Sequence, residues 1–232
     1  MKRLINYCLI FTGILLLSAC GGGRYATGNY SSSNLNATVK EYKPHVDGRL
    51  KPYFARAQVA YPPARMALLA FKEEKRMELW ARNRGTRWTF IRSYPILAAA
   101  GSPGPKLHAG DDQVPEGIYH IAVLNPHSHY HLSLGLNYPN AFDLQEARHD
   151  RRSNLGGEIF IHGSDLSIGC LAMGNRTIEE LFVLAYETGL SNTQVIISPN
   201  DLRHERPARN VERVAWLPQL YSQLRNALAT FS

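Results

Sequence analysis

Cysteine is scarce in this chain: three in 232 residues, at positions 8, 20 and 170. That count excludes a disulfide-stapled fold. Long apolar runs are missing as well. The longest candidate, Ile5 to Leu17, is too short and too poorly flanked for a stable membrane span. There is no internal repeat, and the absence of long helices alternating with strands excludes a doubly wound parallel fold. Cationic residues are not interleaved with aromatics at regular spacing, which argues against nucleic acid as a partner. Acidic residues are outnumbered, 19 against 26 Lys and Arg, for a formal charge of +7. Such a balance suits an anionic wall or lipid surface, and ordinary solubility explains it equally well.

What is present begins with an export signal. Lys2 and Arg3 precede the apolar stretch, which ends Leu17-Ser18-Ala19-Cys20 before three glycines. This segment resembles the lipobox of bacterial lipoproteins. Residues 1–19 are then a leader that carries Cys8 away, and Cys20 is the lipidation site; an uncleaved anchor or ordinary secretory signal is the alternative. Several acyl chains give stable attachment, and Gly21 after the cysteine resembles outer-membrane lipoproteins. Cleavage leaves 213 residues with a charge of about +5. Cys170 is then the one free thiol. An unpaired thiol in an oxidising compartment is better explained by chemistry than by packing.

Residues 20–49 are rich in Gly, Ser, Asn and Tyr and read as a lipidated tether, with residues 50–64 as a short linker or helix ended by Pro62-Pro63. Met66–Phe71 and Met77–Ala81 have the pattern of a hairpin around a charged turn. Further strands are expected around Trp88 and Phe90, at Tyr94–Ala99, Gly117–Val123, His129–Leu134, Glu158–Ile161 and Gln194–Ser198. Tyr138–Asp143 reads as a loop. Thr177-Ile-Glu-Glu180 has the form of a capping box opening a helix that closes at Gly189. In the basic extension 199–232, Val214, Leu217, Leu220, Leu224 and Leu228 allow a helix with one apolar stripe; a membrane-facing helix using Trp216 and Tyr221 is the rival. The sum is a mainly β domain with one internal helix and a C-terminal helical extension.

His162 and Gly163 end one strand, and Cys170 follows Gly169 in a small-residue turn. A cysteine nucleophile needs a base within reach and a group that orients the base, and turn N–H groups can stabilise an oxyanion. The alternative is a buried inert cysteine beside an unrelated histidine. His127, His129 and His131 alternate, and on one strand they would share a face; three imidazoles lack a fourth zinc ligand, and no metal is expected. Arg148, Arg151 and Arg152 read as a solvated basic run or a contact for acidic chains, and Asp165 as a turn cap or a charge beside His162. Trp80 and Trp88 read as buried strand residues.

The segment from Phe160-Ile-His162-Gly163-Ser164 to Ser167-Ile168-Gly169-Cys170-Leu-Ala-Met173 resembles the signature of the L,D-transpeptidase catalytic domain, or YkuD domain. Gly104-Pro-Lys106, Gly110-Asp-Asp-Gln113, Pro115-Glu-Gly-Ile-Tyr119, His131-Leu-Ser-Leu134 and Tyr138-Pro-Asn140-Ala-Phe-Asp143 resemble its YafK-like branch. The resemblance spans about residues 65–198. It implies a β-sandwich-like domain in which Cys170 is the acyl-forming nucleophile, His162 its base, Gly163 the carbonyl that orients the imidazole, and the N–H groups near Gly169 and Cys170 the oxyanion donors. His131, Lys106, Tyr138, Asn140 and Ser167 are the candidate substrate contacts, and no cofactor is implied. The substrate that the resemblance implies is a peptidoglycan stem peptide containing meso-diaminopimelate. Two departures stand out: Ile168 replaces the usual histidine, and Ala172-Met173 stands where many members carry an arginine, the residue best suited to gripping a carboxylate. Both departures also occur in the YafK-like branch, whose members include enzymes that detach a lipoprotein from peptidoglycan. The expectation is therefore amide hydrolysis, with a peptidoglycan-linked lipoprotein as a candidate substrate. Cross-linking transpeptidation and an inactive wall-binding module are the alternatives. The expected location is the cell envelope, on an outer-membrane lipoprotein facing the periplasm.

Overall fold

The computed structural model describes residues 31–167, 169–207 and 214–232. The leader and Cys20 lie outside the described residues, as does Ile168. Nine strands form one curled sheet in the order β3-β2-β1-β9-β5-β6-β7-β8-β4. The strands are β1 (Arg65–Phe71), β2 (Arg76–Arg82), β3 (Thr89–Pro95), β4 (Ala98–Ala99), β5 (Gly117–Ser128), β6 (His131–Leu136), β7 (Phe160–His162), β8 (Leu171–Ala172) and β9 (Thr193–Ser198). Among the described residues four α-helices accompany them: α1 (Ser32–Arg56), α2 (Ala141–His149), α3 (Asn175–Thr188) and α4 (Leu217–Leu228). The expected strand-rich domain with an internal helix and a C-terminal helix is present, and the added helices make it a mixed α/β fold.

The curl is made at β5. Its first residues, Gly117–His120, pair antiparallel with β9, and the remainder pairs with β6. Register shifts at Ile121/Val123 and Asn125/Ser128 bend the strand between those two partners. One half of the sheet is thereby built on β1 and β9, which run parallel and are buried on both faces. Met66, Leu68 and Ala70 join the main core with Val195 and Ile197, beneath α1 and α3. Alternate residues Ala67, Leu69 and Phe71, with Ile196, face a second core.

That second core is closed by α4, through Leu220, Tyr221, Leu224 and Leu228. Trp216 and Tyr221 are buried, the former donating to Asp150 and the latter to Glu116 at 3.0 Å. They are therefore core residues, and the membrane-facing alternative for this helix does not hold. Among the described residues no helix is long and apolar enough to cross a membrane.

Three local expectations change. Residues 32–49 are helical rather than a tether, because Val39, Val46, Leu50 and Phe54 recur at helical spacing and are buried against the domain. Tyr138–Asp143 is not simply a loop. Asn140 and Asp143 form a reciprocal capping box, each side chain accepting the other's backbone N–H, and open α2. At α3 the capping position belongs to Gly174, and Thr177 lies inside the helix. Glu180 points inward instead, accepting from Arg49 at 2.7 Å, Arg92 at 3.1 Å and Tyr94 at 3.0 Å. Such a carboxylate tolerates burial because three donors satisfy it. It ties α1 and β3 to α3, and α3 packs behind β6 and β7.

Candidate active site

Strands β7 and β8 run parallel, with Ile161 opposite Leu171 and His162 opposite Ala172. Side chains alternate faces along a strand, so His162 lies on the face opposite to Ile161. The same register puts Cys170, one residue before Leu171, beside Phe160 and on the face of His162. Consistent with this, the Phe160 N–H donates to Cys170 Sγ at 3.4 Å, and the thiol faces the Glu158 carbonyl at 3.8 Å. Among the described residues no hydrogen bond joins the Cys170 thiol to the His162 ring. Productive contact between them therefore requires the thiol to turn away from Glu158.

His162 is almost fully buried. Its Nδ1 donates to the Gly163 carbonyl at 2.6 Å. That bond fixes the tautomer and leaves Nε2 as the basic nitrogen. The Tyr130 ring stacks on the imidazole, centroids 4.6 Å apart. Backbone bonds from Met173 N–H to the His162 carbonyl and from Gly174 N–H to the Ser164 carbonyl hold the strand end, and Asn175 Oδ1 accepts from Ser164 N–H.

The turn before Cys170 is shaped by two residues. Gly169 adopts φ +84°, the left-handed region that glycine enters without strain. Ser167 Oγ accepts from the Cys170 N–H at 3.0 Å and donates to the Cys170 carbonyl at 2.5 Å. Against the turn packs the 101–116 connector, with Asp112 and Gln113 backbone atoms 3.8 Å from where a Gly169 Cβ would lie.

Residues 65–197 match the L,D-transpeptidase catalytic domain family, YkuD. The chain belongs to this family. It is 32% identical over 174 residues to the Escherichia coli K12 protein named "Putative L,D-transpeptidase YafK", and equally to that of strain O157:H7. The match covers 73% of this chain and 62% of those relatives, so it spans less than two thirds of their length. Among solved structures, the helical cell shape determining protein Pgp2 (K307A mutant) from Campylobacter jejuni aligns at TM-score 0.48 and 21% identity, covering 71% of this chain and 54% of that one. Bd1075 from Bdellovibrio bacteriovorus aligns at TM-score 0.45 and 23% identity, covering 74% and 57%. The chain thus carries the cysteine-based enzyme domain of the YkuD family.

Within this YkuD domain the sequence-predicted contacts separate. His162, Gly163, Gly169 and Cys170 come together. Ser167 braces the nucleophile turn instead of offering its hydroxyl outward, and it occupies the Cys170 N–H expected to serve an oxyanion. Lys106 is buried, donating to the His108 carbonyl at 2.9 Å and ion-paired with Asp111. Tyr138 is also buried, its hydroxyl on the Leu155 carbonyl at 3.3 Å, so it packs in the core and does not line a groove. Asn140 is held by its capping role and by the Ile118 carbonyl. His131 turns toward α3 and α1, with Nε2 3.2 Å from Glu179 and its ring edge-on to Tyr42.

The three alternating histidines do not share a face, because the β5–β6 turn falls between them: His127 is the penultimate residue of β5, His131 begins β6 and His129 is in the turn. His127 instead meets Asn34 of α1. Arg152 is spent on Asp150 and the Leu107 carbonyl, and Asp165 accepts from the Ser164 hydroxyl. Tyr130, Glu158 and Asn175 escaped the sequence reading. Nothing in their own motifs marks them, since each reaches the site through strand pairing or the return of α3.

Burial pushes the Cys170 thiol upward; the Phe160 N–H and the Lys106 ammonium pull it back, and Glu158 adds to the rise. Burial pulls His162 down, partly countered by its bond to the Gly163 carbonyl. The two shifts favour a neutral thiol and a neutral imidazole at rest. Alkylation of Cys170 by iodoacetamide should therefore climb with pH to a midpoint above the ordinary thiol range, and Lys106→Met should move it higher still. A midpoint below about 7 would instead indicate a resting thiolate–imidazolium pair.

Proposed function

We propose that this chain is an L,D-transpeptidase-type acyltransferase acting on the meso-diaminopimelate-containing stem peptides of peptidoglycan. His162 Nε2 takes the Cys170 proton, and the sulfur attacks the stem amide carbonyl to form a tetrahedral oxyanion. As the C–N bond breaks, the imidazolium returns that proton to the departing amine, leaving a thioester. An acceptor amine, deprotonated by His162, then takes the acyl group and restores the thiol. The observation that carries this reading is the bond from His162 Nδ1 to the Gly163 carbonyl, which leaves the basic nitrogen on the sheet face shared with Cys170. No cofactor enters the scheme.

Hydrolysis of the same thioester, with release of a wall-linked lipoprotein, is the second reading. It is favoured by one feature at the end of β8. Ala172 and Met173 are uncharged and buried, so neither offers the cation that many family members place there. Attachment through a lipidated Cys20, and so a position at the outer membrane, belongs to the same proposal.

Purified protein incubated with sacculi, with and without an added amine acceptor, separates the readings by product mass. Amine adducts that replace the free acid when acceptor is supplied support transpeptidation. Free acid that persists at saturating acceptor supports hydrolysis, and unchanged sacculi under both conditions overturn both.

A further inference from the structure

The β1–β2 pair carries a violation of sheet electrostatics far from the nucleophile. Arg65 and Arg82 stand directly opposite each other in the antiparallel register. Like charges in that position destabilise a sheet. Among the described residues neither has a carboxylate partner, and neither does Arg84 in the following turn. All three arginines line one cleft of about 530 Å³ at the open end of the hairpin. Thr188, at the end of α3, and Asn192 also line it.

The walls are built rather than incidental. Asn83 accepts from Ala60 N–H at 2.9 Å and donates to the Gln58 carbonyl, fixing the chain that leaves α1 against the β2–β3 turn. Arg82 lies over the Trp88 ring, 4.5 Å from its centroid. An adjoining cleft, sharing Arg65 and Asn192, is lined by Trp88 and His120. Strands β9, β5 and β6 separate β1 from β7, so this place is distinct from the Cys170 turn.

We propose that this cleft is a second binding site, taking carboxylate groups of the peptidoglycan polymer away from the scissile amide. Planar guanidinium groups suit bidentate capture of carboxylates. A concave cleft with a neighbouring indole fits a segment of peptide-bearing glycan better than the flat face of an anionic bilayer. The inference rests on the peptidoglycan reading above. Its consequence is that the enzyme holds the polymer at two points, so polymeric wall is bound more tightly than a short soluble fragment.

Sacculus co-sedimentation in a Cys170→Ala background tests it. Arg65→Gln/Arg84→Gln should weaken binding by roughly 10- to 100-fold. The exposed pair Arg148→Gln/Arg151→Gln, which removes the same charge elsewhere, should bind normally. Sacculi whose carboxylates have been amidated should lose the arginine dependence. In an otherwise wild-type background, turnover of a soluble disaccharide peptide should be unaffected by Arg65→Gln/Arg84→Gln. Unchanged sacculus binding in that variant overturns the cleft while leaving catalysis intact. Equal loss with the Arg148/Arg151 control, or arginine-dependent binding to phosphatidylglycerol vesicles but not to sacculi, also overturns it. Arginine-dependent sacculus binding without any turnover by the Cys170 enzyme would instead overturn the catalytic reading and keep the cleft.

Discussion

Cys170→Ala should abolish product formation from sacculi, with a loss of at least roughly 10^4-fold, while leaving the melting temperature nearly unchanged. The two halves of that expectation have separate causes. Without the sulfur there is no atom to carry the acyl group, and His162 cannot substitute for it, because its ring is buried and its Nδ1 is engaged. Stability is spared because, among the described residues, the hydrogen bonds of Sγ are two weak ones, with Phe160 N–H at 3.4 Å and the Glu158 carbonyl at 3.8 Å. The turn itself is braced through Cys170 backbone atoms and the Ser167 hydroxyl, which alanine retains. Differential calorimetry together with product mass analysis checks both halves. A variant that still converts sacculi would show that the thiol is not the acyl carrier, and a melting temperature lowered by many degrees would make the activity loss uninformative.

The sequence made this nucleophile legible for a simple reason. Its reactive parts are local: His162-Gly163 and Gly169-Cys170 lie on two short segments that become adjacent through one parallel pairing. The central strands were legible because β1 and β9 are continuous apolar runs, as burial on both faces requires. Contacts between distant segments were not legible. Tyr130 on the imidazole, Asn175 beneath Gly163 and Lys106 near the thiol depend on hairpin curvature, on where α3 returns and on how the 101–116 connector packs.

Helix α1 was obscured for another reason. Pro44 and Pro52 lie inside it, and its apolar residues are sparse among polar ones. Local propensity therefore reads as coil, and the helix is held by packing and by Arg49 on Glu179 and Glu180. The misread motifs share a cause. Asn140 and Tyr138 sit in a motif associated with the family, yet one is spent on capping α2 and the other on core volume. Position within a family motif thus marked residues that shape the domain as readily as residues that face its cleft. The helix signal at Asn140-x-x-Asp143 was there to be read, and the preceding Pro139 drew attention to a turn instead.

The second large effect is expected from one added methyl group. A Cβ on Gly163 would lie 2.6 Å from the Tyr130 carbonyl oxygen, 2.7 Å from Asn175 Oδ1 and 3.0 Å from His131 Cβ. The first of these is backbone and cannot swing aside. In Gly163→Ala the strand end must therefore move, and three links move with it: Gly163 N–H to the Leu132 carbonyl, Ser164 N–H to Asn175, and the Gly163 carbonyl to His162 Nδ1. Overpacking should cost about 1–3 kcal/mol of stability, which denaturant titration would measure. The larger consequence is chemical. Once its carbonyl anchor shifts, the imidazole loses both its fixed tautomer and its aim, so kcat should fall by roughly 10^2- to 10^4-fold, with KM little changed because Gly163 side-chain space faces the hairpin and α3 rather than substrate. Iodoacetamide should still modify Cys170, since the nucleophile's own turn is intact. A folded Gly163→Ala protein with wild-type kcat would show that the carbonyl does not orient the base, and loss of Cys170 alkylation together with kcat would show that the damage had spread into the nucleophile turn.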